Sequence, residues 1–234
     1  SFVFPIQITP GQMCVGALLY GSSALHVAVK NNSPMRIIDL LLQNGASSKQ
    51  LDGDGMSPLH WACERQRIDV AKKLAGIGTA KEIQEDVRFG SANEVTNHLN
   101  LANRSERSTA LHVACRYGRR DVIEFLLEHS VDVSLQDAHG HTALHIHLRC
   151  DWAVQNVAML TVDDFEHYTK ISRQLIDRVE DRAVLNIQDE QLRTVLHVAC
   201  IYGLTDVAAI FVATAKDLNA EHSLGHSAWN WIRT

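Results

Sequence analysis

Short apolar stripes alternate along the chain with polar, glycine-bearing turns. Val122, Phe125 and Leu126 stand at i, i+3 and i+4, and Ile171, Leu175 and Ile176 form a similar stripe. That spacing turns one face of a short helix toward a core. Between such stripes lie stretches such as Asp52 to Gly55 and Asp137 to Gly140, which read as tight turns. The pattern predicts many short helices joined by turns.

A second motif sets the register of these helices. Serine or threonine, one small residue, leucine and histidine recur at Ser23 to His26, Ser57 to His60, Thr109 to His112, Thr142 to His145 and Thr194 to His197. Two positions after the histidine stand Ala28, Ala62, Ala114, His147 and Ala199. The hydroxyl residue suits a helix N-cap, because its oxygen accepts from an amide that has no partner in the first turn. Successive histidines are 34, 52, 33 and 52 residues apart, a period near 33 with extra material in the second and fourth intervals. In this motif and period the chain resembles the ankyrin-repeat family.

The resemblance implies an all-α solenoid of stacked helix-turn-helix units with short β-hairpin turns, curved into a right-handed stack. Residues 1–20 read as an N-terminal extension or partial capping unit. Repeats follow at about 21–54, 55–78, 104–136, 137–188 and 189–221, with a degenerate unit at 79–103 and a truncated one at 222–234. The degenerate unit lacks the motif and puts Asp86 near an expected buried alanine slot. The fourth interval holds an insertion at 151–169 whose Trp152, Val157, Leu160 and Phe165 are too apolar for a solvated linker. It either packs on its own repeat or meets a partner. Since the chain starts without Met and stops inside what reads as a further repeat, it is expected to be cut from a longer protein.

Composition narrows the function. A net charge of -5 supplies no global field for nucleic acid or membrane. No apolar run approaches the roughly 20 residues of a membrane span. Cys63, Cys115 and Cys200 fall inside the repeated motif, so they read as small buried residues of an intracellular protein in cytoplasm or nucleus. Of thirteen histidines, five occupy the motif, where the ring can bridge backbone groups of adjacent units. His139, His141, His145, His147 and Cys150 alternate like metal ligands, but hairpin and helix positions point them in different directions, so no metal is expected. No cofactor motif or catalytic constellation is recognisable, and no enzymatic activity is expected. Arg104, Arg107, Arg116, Arg119 and Arg120 are diluted by Glu106, Asp121 and Glu124, which argues against nucleic acid and fits an acidic protein segment better.

In the family that the chain resembles, partners meet the hairpin tips and the exposed ends of the first helices, on the concave face. Carried over by register, this implies a protein partner at Met56, Arg65, Arg116, Tyr117, His141, Arg149, Arg193 and Tyr202. The tyrosines and arginines are the residue types that dominate interface energies. The alternative is a regulatory array controlling an enzyme or channel domain elsewhere in a longer chain. Six or seven repeats with irregular insertions are also similar to the inhibitors of NF-κB. Asn186 and Asn219 fall where related arrays carry an asparagine modified by Fe(II)-dependent hydroxylases; a turn asparagine bonding its own hairpin is the other reading.

Overall fold

The computed structural model describes residues 21–76, 98–129, 131–149, 162–179 and 182–214, with no side-chain description at 162–165, 182–183 and 214. The chain divides into two compact units, 1–98 and 99–234, so the boundary falls within the degenerate repeat. The expected packing of Asp86 lies outside the described residues.

In the first unit, α1 (Ala24–Lys30) pairs with α2 (Met35–Gln43), and α3 (Pro58–Glu64) pairs with α4 (Ile68–Leu74). First helix packs on first helix, α1 on α3, and second on second, α2 on α4. The second unit repeats the scheme with α5 (Ala110–Arg116) and α6 (Arg120–Leu127), α7 (Ala143–Arg149) and α8 (Val162–Asp177), and α9 (Val195–Ile201) and α10 (Thr205–Thr214). Here α5, α7 and α9 form one row, while α8 touches both α6 and α10 in the other. Two rows of helices in each unit are the helix-turn-helix stack expected from the period.

The motif explains each first helix. Its leucines, Leu25, Leu59, Leu111, Leu144 and Leu196, are all buried, each worth about 2 kcal/mol by area. Its alanines let neighbouring helices approach. At the N-cap the histidine replaces the usual Glu or Gln of a capping box, reaching back to the cap's own amide. The same ring then crosses to the next repeat. The Ser23 amide donates to His26 Nδ1 at 3.1 Å, and His26 Nε2–H donates to the Met56 carbonyl at 3.0 Å. Likewise His112 donates to the His141 carbonyl at 3.1 Å, and His145 to the Arg193 carbonyl at 3.2 Å. An amide pointing at Nδ1 requires that nitrogen to be bare, so the network fixes the neutral Nε2–H tautomer.

The turns are tight reversals closed by backbone bonds, from the Asp52 amide to the Met56 carbonyl, Asp137 to His141 and Asp189 to Arg193. Among the described residues there is no strand, and Gln136 and Thr142 form an isolated antiparallel bridge. Each turn is also closed by an Asx side chain. Asp52 Oδ1 accepts the amides of Asp54 and Met56, Asp137 Oδ1 those of His139 and His141, and Asp189 Oδ1 those of Gln191 and Arg193. Asn103 plays the same part for Glu106 and Ser108. Neighbouring turns in the second unit are then tied by backbone, Ala138 N–H to the Glu106 carbonyl and Glu190 N–H to the His139 carbonyl.

The second half of the segment read as an insertion at 151–169 is helical. From Val162 onward it is helix, continuous with the Ile171, Leu175 and Ile176 stripe, and all three of those residues are buried. Lengthening the second helix toward its N-terminus brings Tyr168 onto α7, where its ring stacks on His147. Trp152, Val157 and Leu160 lie outside the described residues, and Phe165 falls in the first turn of α8.

Candidate protein-binding surface

Equivalent positions of successive repeats carry the residues singled out in the sequence. Met56, His141 and Arg193 each stand immediately before the N-cap of a first helix. Arg116 and Arg149 end their helices, and Arg65, Tyr117 and Tyr202 are the C-caps that follow α3, α5 and α9. The carbonyls of Met56, His141 and Arg193 are the acceptors of the preceding repeat's motif histidine. A buried ring in one repeat therefore holds the backbone from which the next repeat's surface side chain projects. That is how a fold-forming motif positions a surface.

In the first unit Met56 is half-buried and Arg65 exposed, with its Nε 4.0 Å from Glu64. In the second unit Tyr117 is 44% exposed with the Arg119 guanidinium 6.0 Å from its ring centroid, whereas Tyr202 is half-buried beside the exposed Ile201. Arg116 reaches back to the Glu106 carboxylate, so its charge is shared within its own repeat. Asn186 ends a short 3-10 helix, Arg182–Asn186, and is half-buried; Asn219 lies outside the described residues.

His141, Arg149 and Arg193 converge. They line a cleft of about 230 Å³ together with His139, Asp189, Glu190 and Gln191. The Arg149 guanidinium donates to His141 Nε2, and His141 Nδ1 faces Asp137 Oδ2 at 3.3 Å. Arg193 Nε donates to Asp189 Oδ2 at 2.8 Å. Burial raises the Asp137 carboxyl, but bonds from the His141 side chain and from the His141 and His139 amides outweigh it and hold the group down at about 2. Asp189 is lowered in the same way: burial opposes, and Arg193 and the turn amides prevail. Both acids are thus committed to shaping their turns.

Of the alternating histidines, His139, His141 and His145 place their rings in succession, with centroids 5.9 and 6.3 Å apart, while His147 stacks on Tyr168. His145 and His147 are buried, and burial pushes both down to about 4. His139 lies at the exposed rim, 3.3 Å from Glu190. Among the described residues no group of three His, Cys, Asp or Glu side chains could hold a metal ion. Cys63 and Cys115 are buried as expected, with the Cys63 thiol pushed up to about 12 by burial, whereas Cys200, expected to be buried too, is only half-buried at the end of α9. No helix of the described residues is long and apolar enough to cross a membrane.

Sequence reasoning missed the acids that organise this surface and the residue at the tip of the last turn. The turn position that is glycine at Gly55 (φ 73°) and Gly140 (φ 75°) is Leu192 in the following repeat, at φ 58° and 47% exposed. Aligning the turns on Asp52, Asp137 and Asp189 displays that replacement in the sequence itself.

Comparison with known proteins gives a consistent picture. Residues 9–85 match a family model described as ankyrin repeats (3 copies), and residues 95–146 one described as ankyrin repeats (many copies). The chain is similar to Palmitoyltransferase AKR1 of Lachancea kluyveri, 27% identical over 61% of this chain and 17% of that protein. It is similar to Neurogenic locus notch homolog protein 1 of Mus musculus, 29% identical over 76% of this chain and 6% of that protein. With Inversin of Canis lupus familiaris it shares 26% identity over 82% of this chain and 15% of that protein. The chain therefore spans less than a fifth of the length of these relatives.

Proposed function

The chain belongs to the ankyrin-repeat family, and we propose that it is a scaffold that binds a partner protein through the turn tips and the ends of its first helices. The observation that carries this reading is the repeated placement of arginine and tyrosine at helix ends. Tyr117 and Tyr202 cap equivalent helices, and Arg149 and Arg193 share a cleft between adjacent turns. Arg193 rests on a backbone held by the His145 ring and the Asp189 turn, and the Tyr117 and Tyr202 amides are bonded to the Val113 and Val198 carbonyls, so little backbone ordering remains to be done on binding. The second helices carry arginines at Arg36, Arg120 and Arg173, but their Phe125, Tyr168 and Phe211 are buried.

A second reading has its own support. One relative is named a palmitoyltransferase and this chain matches only 17% of it, so the array could equally regulate a catalytic domain elsewhere in a longer chain. The two readings differ in an experiment that adds the array in trans to the remainder of the full-length protein. Restored control of that protein's activity supports regulation, whereas an activity indifferent to the array, with a separate protein captured by it, supports the scaffold.

A further inference from the structure

Helix α2 opens the row of second helices among the described residues, and one of its apolar flanks is uncovered. Ile38 is fully buried, yet Ile37 is 44% exposed and Leu40 58%. Counted from the N-cap, the positions of Ile37 and Leu40 are Val122 and Phe125 in α6, which are 0% and 2% exposed. In α4 the equivalent of Ile37 is Val70, also fully buried. Positions that are core in later pairs are therefore surface in the first.

An ion pair shows which way that flank points. Leu40 corresponds to Lys73 in α4, and Lys73 Nζ reaches back to Asp39 of α2 at 3.4 Å. One repeat later, the position of Leu40 thus faces the preceding second helix. Asp39 marks the side of α2 that meets α4, and Ile37, two residues away on a helix of 3.6 residues per turn, lies about 160° from it. Ile37 and Leu40 consequently look toward the start of the stack.

We propose that residues 1–20, which lie outside the described residues, dock on this flank of α2 and close the stack. Their composition matches the surface. The segment has no Asp, Glu, Lys, Arg or His, and Phe2, Phe4, Ile6, Val15, Leu18 and Leu19 give it the apolar side chains that such a contact needs. Reach is no obstacle, because a segment of this length spans up to about 70 Å when extended and runs directly into the first repeat. Its residues 9–20 also fall inside the ankyrin match. Covering Ile37 and Leu40 in this way requires no second molecule.

The test is photo-crosslinking of the whole chain with benzoylphenylalanine in place of Leu40, whose exposure lets the probe enter without disturbing the core. Unlabelled and heavy-nitrogen chains are mixed before irradiation, and the joined peptides are mapped by mass spectrometry. Position 40 should join to residues 1–20, with both peptides carrying the same isotope label. The same probe in place of Gln43, about 120° round the helix from Ile37, should give little of that product. Leu40→Glu in the otherwise unaltered chain should lower the melting temperature by several degrees, as expected of a packed leucine rather than an exposed one. Products that join light chains to heavy ones would assign the flank to a second copy and overturn the proposal. So would crosslinks from position 40 that are absent or avoid residues 1–20, equal yields from positions 40 and 43, or a melting temperature unmoved by Leu40→Glu. None of these results involves a partner, so the protein-binding reading stands or falls separately.

Discussion

His147 and Tyr168 clasp each other across two helices: their rings stack with centroids 4.5 Å apart, and each donates a hydrogen bond to the other's backbone carbonyl at 3.3 Å. The equivalent position in the other motifs is Ala28, Ala62, Ala114 or Ala199. A buried imidazole there needs both volume and a polar partner, and the N-terminal extension of α8 provides both. His147→Ala should cost about 2 to 4 kcal/mol, since the cavity beneath Tyr168 can collapse only in part. Tyr168→Phe should cost about 1 kcal/mol, the worth of one hydrogen bond. Urea denaturation measures both; a neutral His147→Ala would show that the repeat packs as well around alanine.

Acidification should unfold the protein in a defined window. His145 and His147 fall from 6.5 to about 4 through burial, and His26, His98 and His112 are lowered for the same reason. The unfolded chain then binds more protons than the folded one, so stability is complete above about pH 6.5 and declines as pH falls toward 4. Each of the two strongly shifted rings contributes on the order of 3 kcal/mol. Asp137, lowered from 3.8 to about 2, acts later, its contribution being lost only below about pH 4. Melting temperatures recorded at constant ionic strength should therefore drop steeply between pH 6.5 and 4. A flat profile there would mean that the rings are not held neutral.

Two turn positions should respond unequally to glycine exchange. A Cβ on Gly140, at φ 75°, would lie 3.1 Å from the Asp189 Cα of the next turn. Gly140→Ala should thus cost about 1 to 3 kcal/mol, because backbone rather than a flexible side chain must move. Nothing lies within 4 Å of a Cβ at Gly203, at φ 65°, so Gly203→Ala pays the conformational strain alone and should cost less. Denaturant midpoints of the two variants should rank in that order, and the reverse ranking would mean that turn-to-turn contact is not limiting.

The motif made most of this fold readable. Five histidines in a fixed register announced five first helices, and the notion that each ring bridges neighbouring repeats matches the bonds of His26, His112 and His145. What remained hidden depends on contacts distant in sequence. Nothing in the sequence near His147 points to Tyr168, 21 residues on, as its partner. The start of α8 was obscured because the expected helix register was counted from its apolar stripe, whereas its first turn is polar and acidic at Asp163 and Asp164. The surface was readable as positions but not as a cleft, since the pairing of Arg116 with Glu106 and the meeting of His141, Arg149 and Arg193 emerge only when turns and helix ends are brought together.

The most direct test of the account is an affinity measurement on two faces of the same molecule. A partner isolated from the source cell with the whole chain as bait would be titrated calorimetrically against the unaltered protein and two variants. The first-helix variant carries Tyr117→Ala and Tyr202→Ala; the second-helix variant carries Glu124→Ala and Lys170→Ala, which removes an exposed ion pair between α6 and α8. Loss of about 1 to 3 kcal/mol per tyrosine, with melting temperature unchanged and the second-helix variant binding normally, is the predicted result. Full affinity in the tyrosine variant alongside loss in the second-helix variant would contradict the account and place recognition on the opposite row of helices.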